Sequence, residues 1–411
     1  MSGSTPVRQD ARIIFSISFG HAVAHFYNLL LPPLFPWIKL AFGLSWSQLG
    51  FLMTVYFLVS GVAQTAAGFL VDRYGARLVL YAGLLCLAAA ACLLASAPSY
   101  TILLLGAGLA GLGNSVFHPA DFTLMNKCVS VGRLGHAYSM HGIAGHLGWA
   151  VAPMYLLGIA SLAGWRYALL AAAVLPLLAV MLLLTARACW GADTRQSKSA
   201  SEQGQGWQFL RLPAVWACFS FFFISAIALG GIQSFSTVSL QHLYEMSVVW
   251  ATTAFTLYMV GSASGMILGG FLASRSKQHE RIIALAFCVA ATAAWCIASA
   301  KISPVLAVVL MTITGLGAGI AGPSRDFLIR EAAPKQAMGR VYGIVYGGLE
   351  LGFACAPLLF AYLMDHKQPD LVFVWIGICQ ILAIFTALGV KTTLVKRHAV
   401  EKLASAPSTG R

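Results

Sequence analysis

Apolar segments long enough to form membrane-spanning helices alternate with short polar segments along almost the whole chain. A helix needs about 20 apolar residues to cross the hydrocarbon core of a bilayer. The pattern therefore predicts an all-α polytopic membrane protein with twelve transmembrane helices. The predicted spans are residues 12–38, 46–71, 77–95, 100–126, 134–160, 164–186, 213–240, 247–273, 280–299, 302–329, 338–364 and 371–390.

Residues in the middle of the first half of the chain recur in the second half at a constant offset, without a gap. Such a repeat predicts two pseudo-symmetric halves of six helices each. Repeated halves of this kind enclose a substrate site near the bilayer midplane, so the repeat indicates a secondary transporter. The repeated pairs include Gly111 and Gly315, Pro119 and Pro323, Gly135 and Gly339, Tyr138 and Tyr342, Gly148 and Gly352, and Pro153 and Pro357.

One long polar segment, residues 191–207, separates the sixth predicted span from the seventh. It divides the chain into an N-terminal half and a C-terminal half. We expect the N-terminal half at 1–190, a cytoplasmic linker at 191–212, the C-terminal half at 213–392 and a cytoplasmic tail at 393–411.

Composition agrees with a membrane protein, and charge predicts its orientation. Only 9% of the residues are charged, against about 25% in soluble globular proteins. If the N-terminus is cytoplasmic, the outer side holds only Lys39, Arg166, Lys301 and Lys367, in agreement with the positive-inside rule. We therefore expect an inner-membrane protein with both termini in the cytoplasm. The net charge of +13 then belongs mainly to cytoplasmic loops, and no nucleic-acid partner is expected.

The loop after the second predicted span carries a recognisable motif at residues 68–77, with Asp72, Arg73 and Arg77 among its polar positions. The motif resembles the loop motif of the major facilitator superfamily, and the twelve-span repeat extends this resemblance over the whole chain. The resemblance implies transport by alternating access. A carboxylate and guanidinium groups at a helix end can pair with each other and with neighbouring helix ends, so these three residues are expected to control a gate. The second copy has Ser274 in place of the acid, which predicts an asymmetric latch.

Three segments resemble the fosmidomycin-resistance group of exporters within that superfamily. They are residues 25–28, 31–36 and 113–119. Those proteins tend to carry His-Pro-Glu, whereas here the acid comes one residue later, at Asp121. The resemblance implies export of a small polar or amphiphilic compound.

Ionisable residues within the spans predict a route for protons, because such residues are costly in a membrane and usually face the interior of the bundle. His25, His146 and Glu350 each lie near the middle of their predicted helices, close to the midplane. A carboxylate opposite imidazoles suits proton coupling. Glu350 is therefore the first candidate for the protonation site, with His25 and His146 as partners. The alternative is that Glu350 is a structural acid bonded to a neighbouring helix.

His21, His25 and Asn28 share one face of the first helix, which predicts either a cavity wall or a packing surface. The His-x-x-x-His spacing could also bind a metal, but no second histidine box accompanies it, so neither a metal nor a cofactor is expected. Prolines in span one and Gly230-Gly231 in span seven predict helix interruptions that line the cavity. The expected cavity residues are His21, Asn28, His118, His141, Gln233 and Tyr346.

Asp121 and Arg325 occupy equivalent positions of the repeat with opposite charges. They predict an ion pair between the halves that helps to close the cytoplasmic gate when the cavity faces outwards. The alternative pairs Arg325 with Asp326 or Glu331, or places it among lipid headgroups.

These observations predict a proton-coupled exporter that works as a monomer in the lipid bilayer, with a small molecule and protons as its partners. An importer of a small organic anion by proton symport is the first alternative. A non-transporting membrane sensor is the second, although the chain has no sequence resembling a soluble signalling domain. No nucleophile-and-base motif points to an enzyme, and no phosphate-binding Gly-rich loop points to ATP-driven transport.

Overall fold

A computed structural model describes residues 6–186, 212–276, 278–332 and 338–404 of the chain. The regular elements in these ranges are helical, and twelve segments are long and apolar enough to cross a membrane. The predicted all-α fold with twelve spans is confirmed. The α-helices are α1 (Pro6–Asn28), α2 (Phe35–Phe42), α3 (Trp46–Tyr74), α4 (Ala76–Ala95), α5 (Tyr100–Asn114), α6 (Phe117–Cys128), α7 (Leu134–Ala163), α8 (Trp165–Thr185), α9 (Pro213–Tyr244), α10 (Val248–Arg275), α11 (His279–Ala298), α12 (Pro304–Ala332), α13 (Met338–Asp365) and α14 (Pro369–Ala404).

Two of the twelve spans consist of two helices each: α1 with α2, and α5 with α6. Six spans lie within residues 6–186 and six within residues 212–404. The predicted linker falls outside the described residues except for Leu212, as does the end of the predicted tail, residues 405–411. The predicted domain boundaries and the cytoplasmic linker stay predictions; below, the two halves denote the six spans within residues 6–186 and the six within residues 212–404.

The predicted break in span one is present. Helix α1 ends at Asn28, a short 3-10 helix covers Pro32–Leu34, and α2 begins at Phe35. Proline lacks the backbone N–H that would continue the helix, which explains the break. The break predicted at Gly230-Gly231 is wrong, because α9 runs through both glycines without interruption.

The two glycines of α9 serve packing instead. A Cβ atom on Gly230 would lie 2.7 Å from the Cβ atom of Ala356, and one on Gly231 would collide with the ring of Phe360. Small residues at such positions let two helix backbones approach closely in a membrane. The glycines therefore bring α9 against α13.

Span four contains an unpredicted break, between α5 and α6. Helix α5 ends at Asn114 and α6 begins at Phe117, with Pro119 in its first turn, where a missing N–H is tolerated. The equivalent span of the second half, α12, continues through Pro323. The break places the start of a short helix inside the bundle.

The two halves meet along α3 and α13, most clearly at the end of the bundle away from the chain termini. The carboxylate of Asp365 accepts hydrogen bonds from the backbone N–H groups of Trp46 and Ser47, at 2.8 and 2.9 Å, and from the Ser47 hydroxyl at 2.5 Å. Asp365 thus caps the first turn of a helix in the other half, where the helix dipole favours a negative charge. We call this contact the Asp365 cap.

Contacts between α3 and α13 continue from the Asp365 cap towards the middle of the bundle. Thr54 donates a hydrogen bond to the backbone carbonyl of Ala354 at 2.7 Å. The rings of Phe57 and Phe353 stack with centroids 4.9 Å apart. The bundle is therefore closed between the halves on this side.

Candidate functional site

A cavity of about 680 Å³ lies between the halves, within the range of small-molecule sites. Its wall takes side chains from both halves, so a ligand there would contact both at once. Most of the predicted proton-coupling and cavity residues lie on this wall. They are His21, His25, Asn28, His118, His141, His146, Tyr346 and Glu350, and the predicted gate residue Arg325 lies on the wall as well.

Glu350 lies where the contact between α3 and α13 reaches the cavity. Gly61 of α3 faces it, and a Cβ atom on Gly61 would lie 3.0 Å from the Cβ atom of Glu350. The Oε2 atom of Glu350 is buried without a hydrogen-bond partner among the described residues. If Glu350 were a structural acid, this oxygen would accept a hydrogen bond from a neighbouring helix. The described part of the chain provides no such bond.

Three side chains from three helices form a buried cluster in the N-terminal half: His21 on α1, Asp121 on α6 and His141 on α7. The Oδ2 atom of Asp121 lies 3.1 Å from His141 Nε2 and 3.3 Å from His21 Nδ1. The two imidazole rings stack with centroids 3.5 Å apart. Asp121 is completely buried, and both histidines are less than 5% exposed. We call these residues the imidazole–carboxylate cluster.

Two further histidines surround this cluster. The ring of His25 lies 4.4 Å from that of His21, and the ring of His118 lies 5.5 Å from it. Gly145 of α7 provides the space, because a Cβ atom there would lie 2.8 Å from a ring carbon of His25. The absence of a side chain at Gly145 therefore admits histidines of α1 beside α7.

Asp121 and Arg325 are not paired in this structure. Arg325 Nε lies 3.1 Å from Asp326 Oδ1, which is one of the alternatives to the predicted pair. The Arg325 guanidinium carbon also lies 4.5 Å from the ring centroid of Phe222, which in turn contacts Tyr346. The two charges are separated because Asp121 is held by imidazoles of its own half and Arg325 by its neighbour and an aromatic ring. A pair that forms in another conformation stays a prediction.

Three other predicted residues are placed as follows. His146 faces the cavity, with its Nδ1 atom 3.0 Å from the carbonyl of Gly142 on its own helix. Asn28 accepts a hydrogen bond from the Tyr56 hydroxyl at 2.7 Å. Gln233 is buried in α9 and is not among the residues that line this cavity, so its contact with a substrate stays a prediction. With α9 unbroken, its backbone does not open a site there.

The predicted latch residues lie at the junction of α3 and α4. Asp72 and Arg73 are exposed, and the guanidinium carbon of Arg73 lies 5.3 Å from the ring centroid of Tyr74. Gly75 makes the turn with a φ of 88°, which favours glycine. Arg77 follows in the first turn of α4. The gating role of these residues stays a prediction.

Several residues at the site were not predicted from the sequence. The ring of Trp149 lies 4.3 Å from that of His25, and both Trp149 and Gln380 of α14 line the cavity. Trp149 lies one helical turn after His146, a spacing that indicates a shared face. No sequence pattern indicated the role of Asp365, because its partner is a helix end far away in the sequence.

Two six-span halves around a central cavity form the architecture of a secondary membrane transporter. Comparison with known families agrees: the Major Facilitator Superfamily matches residues 17–344 and 282–410. The chain belongs to this superfamily. It is a multi-pass membrane transporter, and the resemblance seen in its loop motif is confirmed.

Individual relatives are distant. The fosmidomycin resistance protein of Escherichia coli (strain K12) is 27% identical over 277 residues, 66% of each chain. The uncharacterized MFS-type transporter YfnC of Bacillus subtilis (strain 168) is 27% identical over 320 residues, 74% of this chain and 75% of that protein. A bacterial homolog of the human lysosomal transporter Spinster, in an inward-facing and occupied conformation, superposes with a TM-score of 0.74 at 12% identity, covering 96% of this chain and 97% of that one. The last likeness concerns the fold alone.

Proposed function

We propose that this protein exports a small polar or amphiphilic compound in exchange for protons, and that Glu350 carries the proton. The observation that supports this most directly is the position of Glu350. Its carboxyl group lies on the cavity wall at the point where α3 and α13 come into contact. A change in its charge would therefore act on the contact that closes the halves and on the ligand in the cavity.

The neutral acid suits the closed contact, because an ionised carboxylate without a partner is costly in an apolar setting. Water that reaches Glu350 when the halves separate favours ionisation. Protonation of Glu350 would then favour closure of the halves at Gly61, and closure would favour protonation. Alternating access supplies the two states between which the proton moves. His25 and His146 line the same cavity and are proposed partners in this transfer.

The orientation follows from the lysine and arginine distribution of the loops. We place the protein in the inner membrane as a monomer, with both termini in the cytoplasm. The Asp365 cap then lies on the outer side, and the described structure is inward-facing. The name of the Escherichia coli relative makes fosmidomycin a rational test compound.

The test measures protons released or taken up by purified protein when a candidate compound binds, in weakly buffered detergent solution. Wild type is compared with Glu350→Gln and with Glu245→Gln, whose acid is exposed at the end of α9. We expect proton exchange in wild type and Glu245→Gln. Glu350→Gln should bind the compound without exchange, since linkage requires a group whose protonation differs between ligand states.

Exchange that persists in Glu350→Gln would contradict the assignment of the proton to this residue. Binding without exchange in wild type as well would contradict proton coupling. Export and import are separated in liposomes: an imposed proton gradient drives substrate in the opposite direction to protons in an exporter and in the same direction in a symporter.

A further inference from the structure

We propose that the imidazole–carboxylate cluster of His21, Asp121 and His141 binds one divalent transition-metal ion of the Zn²⁺ type. This site goes beyond the proposed transport function and does not depend on it. The three residues come from α1, α6 and α7, so their combination is visible only in the folded chain.

The distances between the ligand atoms suit a small metal ion. Ligands about 2.0–2.2 Å from a tetrahedral zinc ion lie roughly 3.3–3.5 Å from each other. In the cluster, Asp121 Oδ2 lies 3.1 Å from His141 Nε2 and 3.3 Å from His21 Nδ1. One ligand atom from each of the three residues lies within 4.8 Å of the other two. Because the two rings stack in this structure, binding of one ion by both requires them to rotate about χ2, which is a soft torsion.

The kinds of ligand select the metal. Two imidazoles and one carboxylate suit zinc and its first-row neighbours, whereas Ca²⁺ and Mg²⁺ prefer oxygen ligands throughout. Three protein ligands leave the fourth position of a tetrahedral ion free. His21 and His141 line the cavity, so this position would face it and accept water or a donor atom of a ligand.

The cluster also contains buried polar atoms that lack partners. Asp121 Oδ1 and His21 Nδ1 form no hydrogen bond within the described residues. The ion-pair partners of Asp121 in those ranges are both imidazoles. A buried acceptor without a partner is costly, and a bound cation would satisfy the carboxylate and the facing nitrogens together.

The experiment uses the full-length protein in detergent, purified by an affinity tag without histidine and stripped of metal with a chelator. Zn²⁺ binding is measured by calorimetry, and Co²⁺ is added as a probe whose visible absorption is intense when its coordination is tetrahedral. We expect one site per chain. Asp121→Asn and His141→Gln should each weaken Zn²⁺ binding by ~100-fold or more, since each removes a direct ligand. His136→Gln, on the same helix but exposed, should leave the affinity unchanged.

Loss of the fold is separated from loss of a ligand by gel filtration of each variant and by Asp121→Glu, which restores a carboxylate and should recover part of the affinity. Wild type that binds no Zn²⁺ would overturn the proposal. Wild-type affinity in both Asp121→Asn and His141→Gln would overturn it too. A Co²⁺ complex with the weak absorption of six-coordinate cobalt would refute the tetrahedral site.

Discussion

Charged side chains lie on both sides of the cavity. Asp121 lies on the N-terminal side, enclosed by imidazoles, whereas Glu350 and Arg325 lie on the C-terminal side. Among the described residues that line the cavity, Arg325 alone carries a permanent positive charge, and its side chain is 27% exposed. A negatively charged group of a ligand would therefore find its strongest fixed partner there.

Arg325→Gln is expected to weaken the binding of an anionic compound by about 1–3 kcal/mol, roughly 5- to 150-fold, because a charge-assisted contact is lost. A neutral compound of the same size should bind almost unchanged. Arg325→Lys should fall in between, because lysine keeps the charge but cannot stack its planar group on Phe222. The test compares the affinities of wild type and of each variant for an anionic compound and for a neutral compound of the same size.

Arg166→Gln serves as the control, since that arginine donates to the backbone of Ala97 at the opposite end of the bundle. Equal losses for the anionic and the neutral compound in Arg325→Gln would contradict an anion contact. They would assign the residue to holding the cavity wall through Asp326 and Phe222.

Helical spacing predicted which residues share a face, but not which residues meet across helices. His21, His25 and Asn28 follow one face of α1, and all three line the cavity as that spacing indicates. Asp121 and His141 contact His21 only because α6 and α7 pack beside α1. A pattern along one helix carries no information on that packing, so the imidazole–carboxylate cluster could not be predicted.

At the scale of elements, α10 and α12 form one of the closest helix pairs in the molecule. Gly261, Gly265 and Gly269 lie four residues apart on α10, and all three are buried against the α12 backbone. A Cβ atom on Gly265 would lie 3.0 Å from the backbone nitrogen of Ile320. Repeated small residues of this kind bring helices together in membranes.

Gly265→Leu is expected to destabilise the protein by about 1–3 kcal/mol or more, because the larger side chain must push the two helices apart. Gly270→Leu is a matched control on the same helix, since no atom lies within 4 Å of the position of its Cβ. The midpoint of thermal unfolding in detergent should fall for the first variant and stay close to wild type for the second. Equal midpoints would show that the α10–α12 contact tolerates expansion.

Element boundaries followed from the sequence where residue chemistry alone determines them. The twelve apolar lengths predicted the twelve spans, and proline chemistry predicted the break before α2. The break at Ser115-Val116 carries no proline or glycine of its own, and Pro119 in the first turn of α6 does not predict it, because α12 continues through the equivalent Pro323. Two consecutive glycines predicted a helix break at Gly230-Gly231, but in the structure these glycines allow α9 to pack tightly against α13.

For the whole molecule, the Asp365 cap is expected to control how often the two halves separate at that end. Asp365→Asn removes the charge that the helix end attracts, which weakens the closed state by about 1–2 kcal/mol, roughly a ten-fold change in population. Spin labels at Leu40 and Val305, exposed near this end in different halves, can report the change in a cysteine-free variant. Longer distances between the labels should gain population.

Asp370→Asn is the matched control, because that acid lies in the first turn of its own helix, α14. Its distance distribution should equal that of wild type. If Asp365→Asn also leaves the distribution unchanged, the remaining contacts of α3 and α13 hold the halves together without the cap.

The Asp365 cap also has a consequence for sequence change in this protein. Two of its three hydrogen-bond donors are backbone N–H groups, of Trp46 and Ser47, which every residue except proline possesses. Substitution of Ser47 by any residue except proline therefore removes one bond at most, whereas any change of Asp365 affects all three. Related chains could therefore change how firmly this end closes by changing position 365 alone. The residues at positions 46 and 47 could vary while the backbone bonds remain, so their identities would not reveal the contact.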